Sequence, residues 1–244
     1  IDAFGVVEGG SVVGQSRPFR VNPGPTASLD VLVSPAVAQA GVDDVVLFIQ
    51  GVDAWGNFTE APVSDLELFD EYGPISESNG NGTFSCEALI EGTAQCTARL
   101  YIAAASRVIR VEDGSGLDGF ANPIQIIPGP GDRAIVSLDS TEVVAGESFT
   151  AQVTLEDAFG NPLILGSADL AALVFSDEFG PADCPLKGTD LLIRRYEFDC
   201  AVTVAGDDNK LHIQVPTLGV IGHSVPFRVD PGALASVVLT LDES

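Results

Sequence analysis

Four cysteines and two histidines are the residues of this chain with the most chemistry in them. Cys86, Cys96, Cys184 and Cys200 could hold a metal, act as nucleophiles or pair as disulfides. None forms a CxxC, and His212 and His223 lie far along the chain from Cys86 and Cys96, so zinc lacks its usual ligand spacing. Two disulfides are the better reading, and they imply an oxidising compartment. The sequence holds no GxSxG, HExxH or P-loop. Gly114-Ser115-Gly116-Leu117-Asp118-Gly119 is Gly-rich, but no helix pattern follows to cradle a phosphate, so it reads as a hairpin loop. His212 falls on an expected strand and His223 in a hairpin, each without a recurring partner. The expectation is no enzyme, no catalytic residue and no cofactor.

Other residues could carry ligands or modifications. Asp70, Glu71, Asp177 and Glu178 recur at equivalent acidic turns, and clustered oxygens suit calcium. No EF-hand spacing occurs, and solvated acidic turns are the competing reading. Asn57-Phe58-Thr59 and Asn81-Gly82-Thr83 are N-glycosylation sequons, which makes Asn57 and Asn81 candidate acceptors. The formal net charge is −24, from 35 acidic and 11 basic residues. Such a chain has no basic footprint for nucleic acid. No apolar run is long enough for a membrane-spanning helix.

The elements that must position these residues are short runs rich in Val, Ile, Thr and Phe, broken by Gly, Pro, Asn and Asp. This pattern belongs to sandwiches or barrels of short strands. Clusters of helix-favouring residues are missing. In the second half, strands are expected near 133–138, 147–156, 168–176, 182–187, 190–204, 210–215 and 223–229.

The chain also repeats itself. Pro18-Phe19-Arg20-Val21 recurs as Pro226-Phe227-Arg228-Val229, with a looser copy at Pro123-Ile124-Gln125-Ile126 midway. Asp53-Ala54-Trp55-Gly56-Asn57 recurs 104 residues later as Asp157-Ala158-Phe159-Gly160-Asn161. Cys96 and Cys200 share that spacing. Its Asp can cap the turn and its Gly supplies a positive φ. Pro-Gly elements at 23–25, 128–130 and 231–232 mark the joints, since proline stops a strand and stiffens a linker. The period predicts repeats at 23–127 and 128–230. They are flanked by the last strands of a preceding repeat at 1–22 and the first strand of a following one at 231–244. The chain is then expected to be an excerpt of a longer array.

Gly222-His223-Ser224-Val225-Pro226-Phe227-Arg228-Val229, with Ala145-Gly146 and Asp157 to Asn161 upstream, resembles filamin-type immunoglobulin-like repeats. The resemblance implies an all-β fold of tandem immunoglobulin-like β-sandwiches. The Pro-Gly-Pro joints and paired cysteines resemble extracellular arrays of algae and protists, including mastigoneme-like surface-fibre proteins. Bacterial invasin-like adhesins share the Asp-x-x-Gly-Asn turn. Neither second strand carries a Cys and the only Trp, Trp55, sits in a turn, unlike antibody domains. The resemblance implies a structural repeat protein of an extracellular filament or cell-surface appendage. Self-association, other surface-fibre proteins and glycans are its expected partners. An adhesin or ligand-binding ectodomain is the alternative.

One strand carries the assembly expectation. Around Phe149, Ala151, Val153 and Leu155 the second repeat alternates apolar with polar residues. The first repeat has Val45, Leu47, Ile49 and Gly51 on one face, but Val46, Phe48 and Val52 where the second has Thr150, Gln152 and Glu156. These three should point away from the core and form an interface. A shifted register, a bulge or a covering loop is the competing reading.

Cys86 is paired here with Cys96, and Cys184 with Cys200, because other pairings would tie two sandwiches together across a Pro-Gly joint. Loops this short should each stabilise by roughly 2–3 kcal/mol in the chain-entropy model. Peptide mapping without reduction should recover only these two linked pairs. A Cys86–Cys184 or Cys96–Cys200 peptide would defeat the assignment.

Overall fold

The computed structural model describes residues 16–61, 63–88 and 92–233. The expectations for residues 1–15 and 234–244 lie outside these, and residues 16–24 carry no strand. The fold is all-β, with immunoglobulin-like sandwiches in tandem. The chain divides into two compact units. The first comprises the chain up to Val37 with Asp44–Arg99 and Ser106–Ile124. The second comprises Ala38–Asp43, Leu100–Ala105 and the chain from Gln125 on.

From Thr26 to Ile127 the chain runs through β1 (Thr26–Ser34), β2 (Val37–Gln39), β3 (Val45–Asp53), β4 (Glu67–Asp70), β5 (Gly73–Pro74), β6 (Gly82–Ala88), β7 (Thr93–Leu100), β8 (Ala104–Arg107), β9 (Arg110–Glu112), β10 (Asp118–Phe120) and β11 (Ile124–Ile127). One sheet has the order β1-β3-β7-β6 and another β10-β9-β4-β5, with a small sheet β2-β11-β8 beside them. β3 is antiparallel to β1 on one side and to β7 on the other. Its side chains alternate: Val45, Leu47 and Ile49 are fully buried while Phe48 faces out. Each such aliphatic side chain contributes about 1.5–3 kcal/mol by leaving water.

From Gly131 to Asp230 the chain runs through β12 (Gly131–Leu138), β13 (Glu142–Val144), β14 (Ser148–Asp157), α1 (Ser167–Ala172), β15 (Val174–Asp177), β16 (Gly180–Pro181), β17 (Leu186–Asp190), β18 (Arg195–Ala201), β19 (Gly206–Asn209), β20 (His212–Val215), β21 (Val220–His223) and β22 (Phe227–Asp230). Here one sheet of eight strands has the order β16-β15-β20-β21-β12-β14-β18-β17, with β13-β22-β19 apart from it. β12 and β21 meet in parallel over Ala134–Gly222 and Ile135–His223. That approach needs Gly222, because a Cβ there would sit 2.2 Å from the Ala134 carbonyl oxygen. Phe149, Val153, Leu155, Tyr196, Phe198, Ile213 and Phe227 form the core of this stretch.

The stretch 168–176, expected as a strand, is mostly helix. Ser167–Ala172 is α-helical and only Val174–Asp177 is extended. Ala168, Leu170, Ala171 and Ala172 are helix formers, and the Asp169 carboxylate accepts a hydrogen bond from Gly166 N (2.9 Å) at the first turn. The expected strand at 223–229 is also two strands, β21 and β22, separated at Ser224–Pro226. Cys86 on β6 is bonded to Cys96 on the neighbouring β7. Cys184, before β17, is bonded to Cys200 on β18.

The first unit buries an ion pair. Arg107 Nε donates to Asp70 Oδ2 at 2.7 Å, Arg107 Nη2 contacts the same oxygen, and neither side chain is exposed. Arg107 Nη2 also donates to the Asn81 carbonyl (3.2 Å), and the guanidinium lies over the Tyr72 ring. Arg107→Met strands the Asp70 carboxylate in the interior and should destabilise the unit by about 3–5 kcal/mol. Pairing it with Asp70→Asn should recover part of that loss. Urea unfolding of the three proteins measures both effects, and an unchanged midpoint for Arg107→Met would refute the first.

Candidate functional site

The outer face of the β1-β3-β7 sheet is apolar at its centre. Leu32 on β1 lies opposite Phe48 on β3, and Gln95 on β7 lies on Phe48's other side. Phe58 reaches the same face through its bridge to Val52. Leu32, Phe48 and Phe58 are 61%, 48% and 64% exposed. Val46 and Val52 are half-buried on the same side of β3. A hollow of about 300 Å³ lies among Leu32, Phe48 and Phe58, rimmed by Asp30, Gln50 and Thr93. β3 pairs without a register shift to β7, so alternation alone turns these side chains outward.

The second unit treats the corresponding face differently. Arg133 donates to Glu156 (2.6 Å), Gln152 Nε2 donates to Glu197 (3.0 Å), and Lys187 Nζ donates to the Thr150 hydroxyl (2.9 Å). This ladder of polar cross-strand pairs is what a solvated sheet face ordinarily carries.

Both units hold the repeated turn in the same way. Asp53 Oδ1 accepts from Trp55 N and Asn57 N, both at 2.9 Å. Asp157 Oδ1 accepts from Phe159 N and Asn161 N at the same distance. Gly56 and Gly160 take positive φ, 79° and 83°. The second carboxylate oxygen reaches across to the Pro-Gly element. Asp53 Oδ2 accepts from Gly24 N (2.8 Å) and Asp157 Oδ2 from Gly129 N (2.7 Å). Sequence reasoning missed this link, although the recurrence of both elements in each repeat was its signal. In the second unit Asn161 does more: its Nδ2 donates to the Tyr101 carbonyl (2.7 Å) and its Oδ1 accepts from Ala103 N (2.8 Å). Phe159 stacks on Tyr101 at 4.3 Å.

The sequons are engaged in turn structure. Asn81 is 1% exposed, and its Nδ2, the atom a glycan would modify, donates to the Pro74 carbonyl (3.0 Å) while its Oδ1 accepts from Ser76 N (2.9 Å). In the fold, Asn81 thus serves the turn through both atoms of its side-chain amide. Asn57 Nδ2 donates to both oxygens of Asp53, and the sequon's Thr59 is buried against Thr26.

The acidic turns are likewise occupied. Asp70 is held by Arg107, and Asp177 Oδ1 accepts from Phe179 N and Gly180 N, both at 2.8 Å. Among the described residues no three His, Cys, Asp or Glu side chains gather as a cation would need. The two histidines, separate in the sequence reading, are cross-strand neighbours on β20 and β21 with ring centroids 6.1 Å apart. His212 Nε2 lies 3.2 Å from Glu178 Oε1. The tight turn between β20 and β21 sets this register, and counting back from it would have found the pair.

No protein-family model and no curated protein matches the chain. Among solved structures, it is similar to the Escherichia coli adhesin FdeC at 16% identity, over 84% of this chain and 65% of that one, with a TM-score of 0.39. It is similar to the Yersinia pseudotuberculosis adhesin InvE at 14% identity, over 82% and 58%, with a TM-score of 0.37. It is also similar to invasin, a bacterial integrin-binding protein, at 14% identity, over 93% and 45%, with a TM-score of 0.43. The chain spans less than two thirds of the length of each.

The carboxyl of Asp53 is lowered from 3.8 to about 2, by the Asn57 side-chain hydrogen bond first and the Gly24 amide next, against burial that raises it. A depressed carboxylate contributes stability above its unfolded value, and that stability is lost as pH falls through the folded one. Wild type should therefore lose its advantage over Asp53→Asn between about pH 4 and about pH 2. Urea midpoints of both proteins across that window test this. A gap that stays constant would show that Asp53 does not titrate there.

Proposed function

We propose that the chain is part of an extracellular or cell-surface protein that works by protein–protein contact, as an adhesin or ligand-binding ectodomain built from repeats at 23–127 and 128–230. The observation that carries this reading is the exposed cluster of Leu32, Phe48 and Phe58 on a sheet face whose counterpart in the second unit is a polar ladder. An exposed apolar patch on a folded domain is often where it binds. Burying Phe48 alone would contribute about 1.5–3 kcal/mol. Two disulfides suit the oxidising conditions outside the cell.

The size of the cluster favours intermittent contact. Three exposed apolar side chains rimmed by Asp30, Gln50 and Thr93 fall short of the broad apolar surfaces of permanent interfaces. A second reading makes the chain a subunit of a surface fibre, of the mastigoneme-like kind, that packs on copies of itself. Val46 and Val52 favour it, since they continue the stripe along β3 on either side of Phe48.

Beads coated with the chain separate the readings. The adhesin reading expects attachment to cell monolayers or matrix coats without clustering of the beads. Val46→Thr with Phe48→Gln, the residues the second repeat carries, should leave the fold intact and abolish attachment. Clustering that the double variant removes would support the fibre. Attachment or clustering that the double variant retains would overturn a role for this face.

A further inference from the structure

Further along the eight-stranded sheet of the second unit lies a larger hollow. A groove of about 880 Å³ crosses β15, β20, β21 and β12, with Val174, Ile135, Ile221 and Val225 as its apolar lining and Lys210, His212 and His223 among them. Its volume lies within the range of ligand sites. Val174, Ile221 and Val225 are each at least half exposed.

The first unit shows what this face looks like without a groove. Strand register places Glu67, Glu112 and Asp118 where the second unit has Val174, Gln214 and Ile221. Arg110 stands at the position of His212, and Phe120 at that of His223. Arg110 closes the first unit's face on itself, pairing with Glu112 (2.8 Å) and Asp118 (3.8 Å) and lying over the Phe69 ring. In the second unit all three carboxylates and the arginine are gone. Lys210, one of two lysines in a chain of net charge −24, makes no ion pair among the described residues. Among the described residues, the only carboxylate paired to a groove residue is Glu178, on His212.

We infer that this groove binds an extended segment of a partner protein that carries apolar side chains and a carboxylate. Charge complementarity selects the carboxylate: the groove offers the Lys210 ammonium, unpaired among the described residues, on a protein that is otherwise strongly acidic. The apolar lining selects the flanking side chains. All four strands of the groove floor already have hydrogen-bonded neighbours on both sides. The segment is therefore held by side chains and not by adding a strand. Four strands span about 14 Å, or roughly four extended residues. Lys210 receives the carboxylate, while Val174 and Ile221 receive apolar side chains. This site is separate from the β1-β3-β7 face and stands whether or not that face binds.

The chain's two histidines are its own reporters, because an NMR spectrum carries just two imidazole signals. The probe is a capped pentapeptide of leucine, serine, glutamate, serine and leucine. Both imidazoles should shift as it is added at millimolar concentration. The same peptide with lysine for glutamate, or with serine for both leucines, should move them far less. Val174→Glu with Ile221→Asp, which restores the first unit's charges at exposed positions, should weaken binding at least about tenfold. Lys210→Glu should do the same, the size of one charge-assisted contact. Amide spectra confirm that each variant is folded. No shift with the glutamate probe, equal shifts with the lysine probe, or full affinity in both variants would overturn the proposal.

Discussion

One carboxylate holds each sandwich where the chain comes into it. Asp53 and Asp157 each end a long central strand, and each divides its two oxygens between two tasks. One oxygen ties the following turn through two backbone amides. The other holds the glycine of the Pro-Gly element that precedes the first strand. Proline offers no amide, so the glycine between two prolines is the only donor the carboxylate can take there. The first strand is thereby started opposite the end of its partner. Thr26 pairs with Asp53 and Gly131 with Asp157, and the ladder shifts register one step later in both. The rest of β1 and β12 takes its facing after that shift, where a slip of one residue would exchange inside for outside.

With the frame held this way, the outer faces are free to diverge, and they diverge in opposite directions. The first unit is apolar outside on β1-β3-β7 and charged on β10-β9-β4. The second is polar outside on β12-β14-β18 and apolar with basic groups across β15-β20-β21. The interiors change less, but they change too. Asn209 stands buried near the position of Arg107, and its Oδ1 accepts from Glu178 N (3.3 Å). So the buried charge of the first unit has become a neutral amide in the second.

How much of this could be read in the sequence depends on range. The repeat, the outward turn of Phe48 and the seating of Asp53 follow from local spacing, because strand alternation and turn capping act over a few residues. The helix at Ser167–Ala172 was missed because its six residues are bounded by strand-like runs, and Asp169 caps it from inside. The pairing of Asp70 was not legible because its partner, Arg107, lies 37 residues away. The hydrogen bonding of Asn81 was not legible either, because the sequence shows a glycine-rich turn and not the Pro74 carbonyl that its amide reaches. The Asp70 and Asn81 bonds share a cause: each polar group has a partner that local spacing does not name. Apolar periodicity identifies a face, but it does not say which buried donor meets which acceptor.

Net charge constrains what the outer faces can meet. A charge of −24 spread over 244 residues repels other copies of the same chain at range, and only salt or close apolar contact offsets that repulsion. A small apolar cluster such as Leu32, Phe48 and Phe58 is a weak counterweight to such a field between identical molecules. The same cluster against a neutral or basic surface meets no such penalty. The long-range field therefore favours contact with a different molecule over packing of like on like. The same repulsion opposes self-association through either exposed apolar face.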